Sequence, residues 1–221
     1  NLRLAAVSVK KDEFGEALKY LKEVGMQSDL TRDEELERVE LAAKVAQARG
    51  HELAAVKYLK SLTDNWRGEP EKIGKPLLNL ARLLNQLNDN KSALIALDRI
   101  RVLQEDTKKI SSDVHADSLQ MMANILLEDG QTDKGIEVAN QLLDNYEKDR
   151  PLQSMRYKIG KVEFDRGNLV AAEKYWGQLG KESVWNSIAT EQLEHAKFKD
   201  NYKKYIERIP AMAGLREGVK E

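Results

Sequence analysis

Along this chain the apolar and small residues return at helical rather than strand intervals. Five stretches share one outline, read from a turn residue as origin. Gly167 has Gly160 seven positions before it and Ala172 five after. Gly130 has Ala123 and Gly135 at the same offsets, Asn88 has Ala81 and Ala93, Gly50 has Ala43 and Ala55, and Asp12 has Ala5 and Ala17. All ten flanking positions are Ala or Gly. Four residues beyond the second small position comes Leu21, Leu59, Leu97 or Trp176, with a smaller Ala139 in the fourth unit. Residues four apart share a helix face, so each outline predicts two helices joined by a tight turn.

Small residues facing each other let two antiparallel helix axes approach closely. Gly, Asn and Asp take the left-handed conformation that ends a helix at least cost. The origins lie at 12, 50, 88, 130 and 167, so the unit recurs every 38, 38, 42 and 37 residues. On Ile159-Gly160, Gly167-Asn168-Leu169 and the run from Ala172 to Trp176, with their weaker copies upstream, the chain resembles the tetratricopeptide repeat family. The resemblance covers roughly residues 1–180. The family period is about 34 residues, so these units are longer, and the usual first-helix aromatic and following proline are mostly missing. The resemblance implies an all-α fold: an α-α superhelix of about five helical hairpins with a C-terminal capping segment. It also implies a scaffold that binds protein or peptide segments in a groove.

Boundary signals agree with this division. Thr31 and Glu34 form a capping-box pattern. Pro70 and Pro76 bracket the start of the third pair. Ser111, Ser112 and Asp113 are cap candidates for the fourth, and Asp149 with Pro151 for the fifth. The stretch TDNWRGEP at 63–70 is the clearest loop, and the longest spacing places an extra turn in a helix over about 91–108. The expected division is a solenoid over 1–180, capping helices over 181–210 and a flexible tail over 211–221. Within the cap, 183–195 and 198–209 read as two helices. The second carries Phe198, Tyr202, Tyr205, Ile206 and Ile209 at helical spacing among Lys197, Lys199, Lys203, Lys204 and Arg208. It reads as a terminal cap or as a basic amphipathic helix for a membrane surface or an acidic partner.

Composition narrows the function classes. The 36 basic and 37 acidic residues nearly cancel, which lacks the footprint of a nucleic-acid binder. With no cysteine, disulfides, thiolate metal sites and thiol nucleophiles are excluded. No apolar run approaches a membrane span, so no membrane insertion is expected. The chain opens at Asn1 in a helical pattern, which suggests a preceding repeat and a trimmed targeting segment. The compartment stays open between cytoplasm and periplasm, with envelope association among the readings. The long spacings and the terminal YKKYIERIP look more like bacterial repeat proteins.

Motifs of enzymatic chemistry are missing: there is no phosphate-binding loop, dinucleotide fingerprint, HExxH or nucleophile elbow. His51, His115 and His195 share no motif, and the alternating Asp113, His115 and Asp117 point to different sides of a helix. No catalytic residue, metal site or cofactor is expected. The NKS tripeptide at Asn90 matches a glycosylation acceptor but falls at a repeat turn.

The expected binding groove is lined by the first helix of each pair. Six residues before each turn stand Lys44, Arg82, Asn124 and Lys161, three basic residues and one amide. Stacked repeats would place them in a row able to hold carboxylates or backbone carbonyls of an extended peptide. Asn85 belongs to the same face, and Tyr157 and Phe164 are expected to supply apolar pockets there. The corresponding residues of the first unit, Leu2, Ala6 and Val9, are all apolar. A missing repeat, a ligand or a second subunit would cover them, the last making a homo-oligomer.

Overall fold

The computed structural model describes residues 1–27 and 29–217, with side chains to residue 207. Among the described residues every regular element is helical. The order is α1 (Leu2–Lys10), α2 (Phe14–Gly25), α3 (Arg32–Ala48), α4 (Glu52–Asn65), a 3-10 turn (Pro70–Ile73), α5 (Gly74–Gln86) and α6 (Asn90–Thr107). Then come α7 (Ser112–Glu128), α8 (Thr132–Tyr146), α9 (Gln153–Asp165), α10 (Leu169–Trp176) and α11 (Val184–Glu217). The chain divides into two compact units, Asn1–Val138 and Ala139–Glu221.

The small-residue outline corresponds to the packing. All ten Ala and Gly positions are buried. Where the position is Gly the reason is steric. A Cβ on Gly135 would come within 2.6 Å of Leu127, and one on Gly160 within 2.3 Å of the Trp176 ring. The five turn residues, Asp12, Gly50, Asn88, Gly130 and Gly167, all have positive φ between 59° and 80°. At each of these turns the following N–H reaches back to close the helix: Glu13 to Ser8, His51 to Ala46, Asp89 to Leu84, Gln131 to Leu126 and Asn168 to Glu163, at 2.8–2.9 Å. A further left-handed residue, Lys108, ends α6 at φ 57°.

In the first unit α1 with α2, α3 with α4 and α5 with α6 form antiparallel pairs. Leu59, Leu77, Leu97 and Ile100 are fully enclosed among them, as is Leu119 of α7. Side chains also tie the second repeat to the third and the third to the fourth. Lys72 donates to Asp33 at 2.8 Å, Arg99 to Asp64 at 3.0 Å, Arg82 to Asp117 at 2.8 Å and Asn90 to Asp129 at 3.1 Å. Such exposed pairs add at most about 1 kcal/mol each; their regular spacing fixes register more than stability. The first repeat is less open than its apolar face suggests. Val9 is half-buried against the Ala5, Ala17 and Leu21 cluster, while Leu4 and Val7 remain about half exposed.

Helix ends follow side-chain chemistry where it is present. Thr31 and Glu34 close both bonds of the capping box. Ser111 is the cap of α7, accepting from the Val114 N–H, and Asp89 and Asn168 cap α6 and α10. Asp149 and Pro151 do not cap the fifth pair: α9 starts after Leu152, which offers no side-chain acceptor.

In the second unit α9 and α10 form the hairpin, and α11 packs on both. The two helices expected from residue 183 onward are one. No Gly or Pro lies between 184 and 209, so nothing interrupts the hydrogen-bond ladder. The side chains of Arg208 and Ile209 lie outside the described residues, as do residues 218–221 of the expected tail. Arg156 is the buried cation of this unit. It makes a two-pronged pair with Glu147 and a third bond to Gln178.

Candidate functional site

Helices α3, α5 and α7 each turn one face outward, because their small residues Ala43, Ala81 and Ala123 face their own partners. On the open side, Arg82 and Asn85 of α5 and Gln120 and Asn124 of α7 border a hollow of about 530 Å³. A smaller hollow of about 150 Å³ lies between α3 and α5, bordered by Glu40, Lys44, Gln47 and Asn79. Arg82 and Gln86 border both, so the two hollows adjoin along one surface, called the trough below. Lys44, Arg82 and Asn124 thus stand on the same surface within this unit.

The trough is not basic. Arg82 donates to Asp117 at 2.8 Å, Glu40 stands near Lys44, and Glu128 closes the far end. Burial pushes the Glu40 carboxyl above the usual carboxylate range, while Lys75 and Lys44 pull it back. The other polar groups along it are carboxamides, Gln47, Gln86, Gln120 and Asn124, with Asn79 accepting from Arg82 at 3.5 Å. Asn85 is less available, since its amide donates to Asn90 of the adjoining helix at 2.8 Å. The same bond, with Asn90 donating on to Asp129, occupies the side chain of the NKS motif. Asp117 has no counterpart among the expected site residues. Its signal is the 35-residue separation from Arg82, close to one repeat.

In the second unit the expected residues are placed differently. Tyr157 stacks on Trp176, with ring centroids 5.7 Å apart, and lies 5.1 Å from Trp185 of α11. Its hydroxyl accepts from Gln192 at 3.0 Å. Phe164 lies 5.4 Å from the Trp176 ring. Both belong to an aromatic cluster around Trp176: α11 roofs Tyr157, while Phe164 packs on the Trp176 ring of α10. The reason is that Trp185 and Leu193 bring their own apolar surface onto the face that the repeat pattern leaves bare. Lys161 stays at the surface, paired with Asp165 and 5.8 Å above the Phe164 ring.

Among the described residues no group of three or more His, Asp or Glu could hold a metal ion. No described helix is long and apolar enough to cross a membrane.

No family model and no curated protein matches the sequence. Solved structures do match in fold. The crystal structure of MamA superposes with a TM-score of 0.61 at 18% identity, covering 89% of this chain and 97% of that one. A tetratricopeptide repeat protein from Parabacteroides merdae gives 0.61 at 18% identity, covering 81% of this chain and 67% of its own. PilF of Pseudomonas aeruginosa gives 0.58 at 13%, covering 96% and 89%. At these identities the likeness is one of fold. The fold is all-α, built from helical hairpins of the tetratricopeptide repeat type.

Proposed function

We propose that this chain is a non-enzymatic interaction scaffold that docks an extended segment of a protein partner along the trough of α3, α5 and α7. The observation that carries the reading is the trough itself, in which Lys44, Arg82 and Asn124 from three successive repeats share one open surface. A carboxamide carries both a donor and an acceptor, and Gln47, Gln86 and Gln120 along the trough suit the alternating N–H and C=O of a peptide backbone. With Arg82 already matched by Asp117, main-chain groups fit better than a free carboxylate. Lys161 is proposed as a further contact on the second unit, where it is partly exposed. The tetratricopeptide-type fold supports a scaffold role in general terms.

The test uses a photo-crosslinking residue in place of Gln120 to capture the partner, followed by affinity measurement with the captured protein. Arg82→Ala with Asn124→Ala is expected to weaken binding at least tenfold while shifting the thermal midpoint little. Unchanged affinity would refute the trough reading. A second reading, self-assembly, is favoured by Leu4 and Val7, exposed side by side on α1. It requires a mass that rises with concentration in analytical ultracentrifugation and falls back in Leu4→Glu.

A further inference from the structure

The loop expected over 63–70 is shorter, 66–69, because α4 runs on to Asn65 and Pro70 opens the 3-10 turn; it takes no part in the trough, yet it is closely braced. After α4 ends at Asn65 the backbone of Trp66 extends. The Trp66 indole N–H donates to the Glu69 carbonyl at 2.9 Å, folding the ring back over its own loop. Gly68 permits this: a Cβ there would lie 2.4 Å from the indole. Arg32, at the start of α3, donates to the Arg67 carbonyl at 2.7 Å, and Lys72 holds Asp33 from the other side. The loop is thereby pinned to α3, and the indole is held in one orientation.

The result is a second hollow of about 520 Å³, sharing no lining residue with the trough. Its floor is apolar, from Val39 and Leu62, and its walls include the rings of Tyr58 and Trp66. Tyr58 is 45% exposed. The charges are what make the hollow specific. Three arginines line it, at 32, 38 and 67, against one carboxylate, Glu35. Arg38 takes both oxygens of Glu35, at 2.6 and 2.7 Å. Arg32 and Arg67 are left without a carboxylate partner among the described residues, unlike Arg82, Arg99 and Arg101.

We propose that this hollow is a second binding site, which takes an acidic residue next to a bulky apolar one on an extended segment of a protein partner. An uncompensated pair of guanidinium groups selects a carboxylate, because the planar fork can hold both of its oxygens. The fixed aromatic walls and apolar floor select the bulky neighbour, as aromatic-lined pockets do at interfaces. The open walls decide between a segment and a small molecule. Arg32, Arg67, Tyr58, Ser61 and Asn65 are all solvent-exposed, whereas small-ligand sites enclose most of their ligand. A second copy of this chain fits poorly through its exposed aromatic stripe on α11, since Lys199 and Lys203 flank that stripe and would meet the arginines, while Lys197 and Lys204 hold Glu173 and Asp200.

The experiment uses the whole chain and two hexapeptides, Glu-Glu-Leu-Phe-Glu-Glu and Gln-Gln-Leu-Phe-Gln-Gln, with 3-phenylpropionate as a small-acid control. Binding is followed by the indole N–H resonance of Trp66, assigned with Trp66→Phe. The acidic peptide is expected to shift this resonance saturably and the glutamine peptide to leave it in place. Arg32→Glu with Arg67→Glu is expected to weaken binding at least tenfold. Arg67→Glu alone keeps the test sound if the double variant misfolds, since no described group bonds that side chain. The trough variant Arg82→Ala with Asn124→Ala should bind the acidic peptide unchanged, which separates this site from the trough. Equal binding of both peptides, no shift at millimolar peptide, or undiminished binding to Arg67→Glu would overturn the proposal. Saturation by 3-phenylpropionate as tight as by the peptide would overturn it too, in favour of a small-acid pocket.

Discussion

Gly160 is the position at which packing can be tested most directly. It lies on α9 against Trp176, which is 2% exposed and donates its indole N–H to the Tyr157 carbonyl at 3.0 Å. In Gly160→Ala the new Cβ would stand 2.3 Å from Nε1 and 2.4 Å from Cδ1 of that ring. The ring is rigid and enclosed by Tyr157 and Phe164, so it cannot yield without disturbing its neighbours. Overpacking of this kind costs about 1–3 kcal/mol. Loss of the indole bond adds about 1 kcal/mol, and the better helix propensity of Ala returns about the same. The net expectation is a destabilisation of about 1–3 kcal/mol, roughly 5- to 150-fold in the opening equilibrium. Native-state amide exchange at α9 and α10 reads this locally. In a Trp176→Phe background the smaller ring leaves room, so Gly160→Ala should become neutral or stabilising, giving a coupling measurable by a double-mutant cycle. If Gly160→Ala slowed exchange in the Trp176 chain, or if the two substitutions were additive, the close-approach reasoning would be wrong.

Two further outcomes follow from local chemistry. Lys108 holds φ 57° with an exposed side chain, and left-handed geometry costs a residue with a Cβ about 1 kcal/mol that Gly avoids, so Lys108→Gly should raise the urea midpoint. Burial pushes the His115 imidazole below its ordinary 6.5, so the unfolded chain binds its proton first as pH falls. Stability from this group is intact above about pH 6.5 and is lost as pH falls through the lowered value; His115→Gln should flatten that part of the stability profile in urea titrations at successive pH values.

The repeat was legible because its determinants are local. A residue without bulk seven positions before a turn, another five after it and a turn residue able to take positive φ are properties of one hairpin. Ala81, Asn88 and Ala93 display them without reference to the rest of the chain. The polar row was legible for the same reason: Lys44, Arg82 and Asn124 occupy one register of that hairpin. Its electrostatics were not. Asp117 neutralises Arg82 across a repeat interface, and the residue types alone give no rule for which carboxylate swings toward which cation. Tyr157 and Phe164 show the limit most plainly. Their spacing places them on the face opposite the hairpin partner, and helical periodicity assigns no more than a face. Whether that face meets water depends on what lands on it, and here Trp185 and Gln192 arrive from α11 over Tyr157, while Phe164 leans on Trp176 of α10. The Trp66 hollow is similar, since its arginines, rings and floor come from α3, α4 and the 66–69 loop. Sequence by itself determined the hairpins, their turns and their buried seams, because those rest on neighbours within about 35 residues. Tertiary structure alone decided which of the remaining faces are covered, neutralised or left open, because that free energy belongs to contacts between segments, which no single segment encodes.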